Sequence, residues 1–100
     1  MENLRTPDVE NMLTAFAEIS DNDTVFALLE DLFTIREIKE MSQRLQVARL
    51  LDSGKSYAAI EKETGASATT IARVSKCLSY GSGGYAAAFE KIDARQKPAQ

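Results

Sequence analysis

The segment 56–79 has the pattern of two short helices joined by a three-residue turn, and this pattern restricts the fold more than any other feature of the chain. Ser56 can accept a hydrogen bond from a free amide at a helix start, and Gly65 can take the left-handed conformation that ends a helix. Ser67 can cap a second helix. The apolar residues of that helix recur at intervals of three and four positions, at Ile71, Val74 and Leu78. The segment therefore predicts a helix-turn-helix whose second helix turns this stripe toward the core.

The other face of the second helix carries small, hydroxylic and cationic side chains and no acid. Small residues allow a close approach to DNA, while hydroxyls and cations donate hydrogen bonds to phosphates and base edges. We expect base contacts from Thr69 and Thr70, with methyl contacts to thymine from Ala68 and Ala72. We expect phosphate contacts from Lys55, Ser67 and Lys76. Replacing Thr70 with a bulky acid is expected to abolish DNA binding without unfolding the protein. A surface helical hairpin is the alternative interpretation of this pattern.

The net charge of −3 is unevenly distributed along the chain. Residues 1–33 contain eight acids and one base, which gives −7, whereas residues 34–100 contain seven acids and eleven bases, which gives +4. The helix-turn-helix region, residues 54–80, has a net charge of +2. The acidic third is expected to lie away from phosphate, and the small positive surplus predicts useful affinity only when two copies bind together.

Residue usage excludes several classes of protein. The chain has no histidine and one cysteine, Cys77, so it can form neither an internal disulfide nor a His/Cys metal site nor a histidine-based catalytic centre. We therefore expect no enzyme and no metal, and we expect Cys77 to be a buried or half-buried side chain rather than a redox thiol. Neither a run of 18 apolar residues nor a secretion signal occurs, which predicts a cytoplasmic protein without a membrane partner.

Helical patterns also cover the rest of the chain. Thr6-Pro7 opens a first helix over residues 7–20, capping residues at 20–23 precede a second helix, and Thr34 with Glu37 forms a capping box for a long third helix that ends at Ser53-Gly54. The chain is thus expected to be one all-α domain of six helices. We divide it into a dimerisation core (1–53), the helix-turn-helix (54–80), a C-terminal helix (81–96) and a tail (97–100).

The apolar stripes of residues 9–51 are too wide for a monomer of this size to cover. They predict a homodimer, whose two-fold axis would also set two recognition helices one turn of DNA apart. The alternative is that the same stripes form only an intramolecular bundle core.

Several of these residues together resemble the tryptophan repressor family, in particular its short YerC/YecD-type branch. The matching stretches lie within about residues 28–92: Leu32-Phe33-Thr34, Arg44, Leu50-Leu51-x-x-Gly54, Glu63-Thr64-Gly65-Ala66 and Thr70-Ile71-x-Arg73-x-Ser75-x-x-Leu78. The resemblance implies an intertwined, all-helical homodimer that represses transcription by binding palindromic operators in double-stranded DNA. The alternative is a helical protein-interaction or assembly module that has this fold but little or no affinity for DNA.

The resemblance also implies a ligand site. The family repressor binds tryptophan between two arginines and uses a threonine near its dimer partner, and Arg44, Arg73 and Thr34 occupy the matching positions. Two alternatives stay open: a small corepressor, either an amino acid or an aromatic molecule, or a dimer that needs no corepressor or uses an unrelated one, in which Arg44 and Arg73 form ion pairs or bind phosphate. Val74 replaces a family glycine beside the indole, and Glu61 corresponds to a basic position. The turn after Gly54 is also one residue shorter than in the family repressor.

Overall fold

A computed structural model of the protein describes residues 3–96, which form six α-helices. These are α1 (Pro7–Glu18), α2 (Asn22–Leu32), α3 (Ile35–Asp52), α4 (Tyr57–Thr64), α5 (Ala68–Tyr80) and α6 (Gly84–Gln96). Residues 3–96 contain no strand, so the predicted all-α fold of six helices is confirmed. The predicted tail, 97–100, lies outside the described residues. No helix in the described part of the chain is long and apolar enough to cross a membrane.

The chain divides into two compact units, with the boundary in α3 between Ile38 and Lys39. In unit 1, Thr6 caps α1 by accepting a hydrogen bond from the Val9 amide at 3.4 Å, and Asp21 caps α2. Helix α1 ends two residues before its predicted end, because the backbone at Ile19 is extended. Neither α1 nor α2 contains a buried residue. The large apolar side chains exposed on these helices are Met12, Leu13, Phe26 and Leu32.

The predicted capping box at the start of α3 is present. The Thr34 amide donates to the Glu37 carboxylate at 2.9 Å, and the Glu37 amide donates to Thr34 Oγ1 at 3.1 Å. Hydrogen bonds from the Thr34 backbone, and secondly from its side chain, lower the pKa of Glu37. The ionised carboxylate therefore stabilises the first turn of α3, because it satisfies an amide that has no partner within the helix.

This capping box predicts a pH-dependent helix start. Since the folded-state pKa of Glu37 is lowered, its stabilising contribution is complete above the ordinary carboxyl pKa and is lost as the pH falls through the lowered value. In NMR spectra, the helical Cα shifts of residues 35–38 are expected to decline over that acidic range, and Glu37→Gln is expected to reduce this decline. Glu90→Gln, on exposed α6, serves as the control. Identical profiles for the native protein and Glu37→Gln would contradict the assignment.

Unit 2 contains the buried core. Its members come from the second half of α3, from α4, from the turn after α4, from α5 and from α6: Val47, Ala48, Ile60, Ala66, Ile71, Val74 and Phe89. Helix α6 is attached to α3 through Arg49, whose guanidinium lies 4.9 Å from the centre of the Phe89 ring and forms an ion pair with Asp93. The ring of Tyr85 stacks on Phe89 at 6.3 Å. The core thus joins the helix-turn-helix and α6 to the second half of α3.

The prediction that Cys77 is buried or half-buried is wrong, because the thiol is exposed. Cys77 lies one residue before Leu78, and one residue corresponds to about 100° around a helix. This rotation moves it off the stripe of Ile71, Val74 and Leu78 that packs on the core.

Candidate nucleic-acid interface

Hydrogen bonds within the chain define both helix starts of the helix-turn-helix. Ser56 Oγ accepts from the Ala59 amide at 3.2 Å and caps α4, while Ser67 Oγ accepts from the Thr70 amide at 3.1 Å and caps α5. Between them, Gly65 has a φ of 75°, the left-handed conformation that favours glycine. The caps and the turn predicted from the sequence are therefore confirmed.

The two helices pack through the predicted stripe. Ile60 of α4 and Ile71 of α5 are fully buried, and Val74 is 2% exposed. Ala66, in the turn, is buried beside them, and Leu78 is half-buried against the same core. Because this stripe holds α5 against α4 and the core, the opposite face of α5 points away from the core.

The outward face of α5 is exposed and contains no acid. Four of the residues predicted to contact DNA lie on this face, together with one residue predicted to bind a ligand: Ala68, Thr69, Ala72 and Lys76, and Arg73. The amino end of this 13-residue helix adds a partial positive charge to the two cations. The structure therefore brings methyl groups, a hydroxyl and positive charge onto one exposed surface, a combination suited to phosphates and base edges.

Thr70 differs from its neighbours on that helix. Its side chain is half-buried, and its Oγ1 accepts a hydrogen bond from the Ser67 hydroxyl at 3.1 Å. The Ser67 hydroxyl thus forms hydrogen bonds both with the Thr70 hydroxyl and with the backbone amide of Thr70 at the start of α5. This geometry favours Thr69, which is exposed, over Thr70 as a base contact. An acid at Thr70 would disturb the cap as well as the surface, so Thr69 is the cleaner position for a test.

The turn between α3 and α4 presents further polar groups. Lys55 is exposed there, as predicted for a phosphate contact. Tyr57, the first residue of α4, is 44% exposed, and the sequence analysis did not identify it as a DNA contact. A phenol hydroxyl at a helix start can donate to a phosphate, and its position directly after the cap Ser56 is the signal that would have identified it. Glu61, on the same helix, is also exposed.

The residues at the ligand-binding positions of the family come from both units. In unit 2, Arg44 on α3 and Arg73 on α5 are exposed, and neither arginine forms an ion pair within residues 3–96. In unit 1, Thr34 is exposed, and its hydroxyl oxygen accepts the capping hydrogen bond from the Glu37 amide. Val74, at the family's glycine position, has its branched side chain packed in the core.

Comparisons with known proteins agree with this arrangement. The family model for the Trp repressor protein matches residues 8–93. YerC, an uncharacterised protein of Bacillus subtilis strain 168, is 38% identical over 92 residues, which are 92% of this chain and 88% of YerC. Among solved structures, a protein from Staphylococcus aureus described as a candidate Trp repressor has a TM-score of 0.85 and 34% identity, covering 90% of each chain. A Trp-repressor-like protein from Eubacterium eligens ATCC 27750 has a TM-score of 0.85 and 40% identity, covering 90% of this chain and 93% of that one.

The family match extends over six helices, including the helix-turn-helix, and the two solved structures share the same overall fold. The family consists of regulatory DNA-binding proteins and not of enzymes, which agrees with the expectation from residue usage. The chain therefore belongs to the Trp repressor family.

Proposed function

We propose that the protein is a sequence-specific transcriptional regulator, a repressor that binds a palindromic operator through its helix-turn-helix. The observation that carries this proposal is the exposed, acid-free face of α5, which is held outward by the buried stripe on its other side. Thr69, Ala68 and Ala72 contact bases, and Lys55 and Lys76 contact phosphates. Ser67 and Thr70 hold the start of the reading helix.

The regulator acts as a homodimer. Support comes from α1 and α2, which bury no residue within the chain and expose Phe26 and Leu32 at 52% and 50%. A second copy covers such faces, and a two-fold axis sets the two α5 helices about 34 Å apart for successive major grooves. The negative charge of residues 1–33 is repelled by phosphate, so this part of the chain suits the dimer interface better than the DNA interface.

Regulation by a small molecule is part of this proposal. Arg44 and Arg73 are exposed cations without an ion-pair partner in the described chain, and a guanidinium can bind a carboxylate in two-point fashion or stack on an aromatic ring. An amino acid or aromatic corepressor suits them. The part played by Thr34 stays a prediction from the resemblance. Titrations of the operator with the protein, in the presence and in the absence of a pool of amino acids, test whether DNA binding depends on such a ligand.

A salt titration tests DNA binding and its phosphate contacts. The logarithm of the binding constant is expected to fall linearly with the logarithm of salt concentration, because each phosphate contact releases counterions. Replacing both Lys55 and Lys76 with glutamine is expected to reduce this slope by about 3.6, since each lost contact removes about 0.9 and the two protomers together lose four contacts. Fluorescence anisotropy with an operator selected from random DNA measures the effect.

A matched control removes the same charge elsewhere. Lys91→Gln combined with Arg95→Gln neutralises two exposed cations of α6 and is expected to leave the slope unchanged. An equal reduction in both double variants would contradict the assignment of Lys55 and Lys76. Absence of any binding at low salt would reject the regulator and favour a protein-interaction module, which the exposed Glu61 and the net charge of −3 would suit.

A further inference from the structure

A hydrogen bond from α3 reaches the end of α4. Gln43 is half-buried on α3, and its Nε2 donates to the carbonyl oxygen of Thr64 at 3.1 Å, across 21 residues of sequence. Thr64 is the last residue of α4, directly before the turn of the helix-turn-helix. The last carbonyl groups of a helix receive no hydrogen bond from an amide of that helix. They therefore need a hydrogen-bond donor from outside it. Gln43 supplies that donor from outside the motif.

The side chain of Thr64 also forms hydrogen bonds at the start of the turn. Its hydroxyl donates to the Ile60 carbonyl at 2.7 Å and accepts from the Ala66 amide at 3.1 Å. Ala66 is 4% exposed, so the turn is also packed on the core. A chain of hydrogen bonds thus runs from Gln43 through Thr64 to the residue that precedes the cap of α5.

The turn joins α4 to α5, so its hydrogen bonds lie directly before the start of α5. Apolar contacts of the core hold α5 near α3 but are not directional, whereas a hydrogen bond restricts distance and angle. We propose that Gln43 is a positioning residue: through Thr64 it fixes the turn on α3 and so sets the angle at which α5 meets DNA. This inference rests on the proposed DNA-binding function.

The test compares Gln43→Met with Gln46→Met. Both variants remove a glutamine amide from the same helix, and both glutamines line the same groove, but Gln46 is exposed. Gln43→Met is expected to weaken binding to the selected operator about 3- to 10-fold for each half-site, which corresponds to the net free energy of one hydrogen bond in each protomer. Its salt slope and its affinity for random-sequence DNA are expected to stay native, because the phosphate contacts persist. Gln46→Met is expected to bind as the native protein does.

A second variant gives a readout that a purely structural role would not change. Ionised Gln43→Glu cannot donate to the Thr64 carbonyl, whereas its protonated form can. Its operator-binding deficit relative to the native protein is expected to shrink as the pH falls from about 7 to about 4, through the ordinary pKa range of a glutamate carboxyl. The deficit of Gln43→Met is expected to stay constant over the same range. Lys39 and Glu63 are the charged side chains that line this groove, and both are retained in every variant.

The outcomes separate this inference from the function on which it rests. If the native protein selects no DNA sequence, the regulatory function and the positioning role both fail. If the native protein selects an operator and Gln43→Met binds it within twofold, the positioning role alone is overturned. A deficit in Gln43→Glu that does not change with pH overturns it as well, even if Gln43→Met fails to fold.

Discussion

Thr69→Glu is expected to weaken operator binding by at least about 100-fold while the protein stays folded. Thr69 is the second residue of α5 and is exposed, so a carboxylate there meets phosphates and base edges and removes a donor hydroxyl. The same carboxylate lies at the amino end of a helix, where a negative charge is stabilising by about 0.3–1 kcal/mol. Binding and stability are therefore expected to change in opposite directions.

Two further variants separate the sources of this effect. Thr69→Val keeps the shape without the hydroxyl and is expected to cost about 1–3 kcal/mol of binding for each half-site of the operator, the range for one base contact. Ala86→Glu adds the same charge to the exposed first turn of α6 and is expected to leave operator binding native. Anisotropy titrations and thermal unfolding measure the two quantities. Operator affinity of Thr69→Glu within about threefold of native would exclude α5 as the reading helix.

Ile71→Ala is expected to destabilise unit 2 by about 2–5 kcal/mol. Ile71 is fully buried between α5, α4 and the core, so alanine leaves a cavity under the reading helix. For a chain of this length, the midpoint of thermal unfolding is expected to fall by about 4–8 °C per kcal/mol. Operator binding should weaken in parallel, because α5 loses the apolar contact that holds its outward face in place.

Tyr80→Ala provides the comparison on the same helix. Tyr80 is 86% exposed at the end of α5, and its truncation is expected to change stability by less than about 0.5 kcal/mol. Circular dichroism melts measure both variants. Equal melting temperatures for Ile71→Ala and the native protein would contradict the packing described for the stripe.

The local features of the fold were predictable because they depend on residues close together in sequence. The caps at Ser56 and Ser67 bond to amides three residues away, and the capping box pairs Thr34 with Glu37 over the same distance. The αL conformation at Gly65 follows from the absence of a side chain. Short-range hydrogen bonding and periodic apolar residues therefore identified the helices, the turn and the outward face of α5.

Within the candidate site, the sequence did not distinguish Thr69 from Thr70. Both are hydroxylic residues at a helix start, yet one is exposed and the other is half-buried in the cap of Ser67. The rotation of α5 on the core decides this difference. The same rotation exposes Cys77, although its small apolar character predicted burial.

The amino-acid sequence by itself determined the six helices, their caps and the family, since each of these follows from spacing within a few residues or from residue identity along the chain. Only the tertiary structure decided which elements Gln43 and Arg49 join. Gln43 reaches across 21 residues to Thr64, and Arg49 reaches across 44 to Asp93. Such long-range bonds depend on how α4 and α6 pack against α3, and side-chain periodicity within one helix carries no information about that packing.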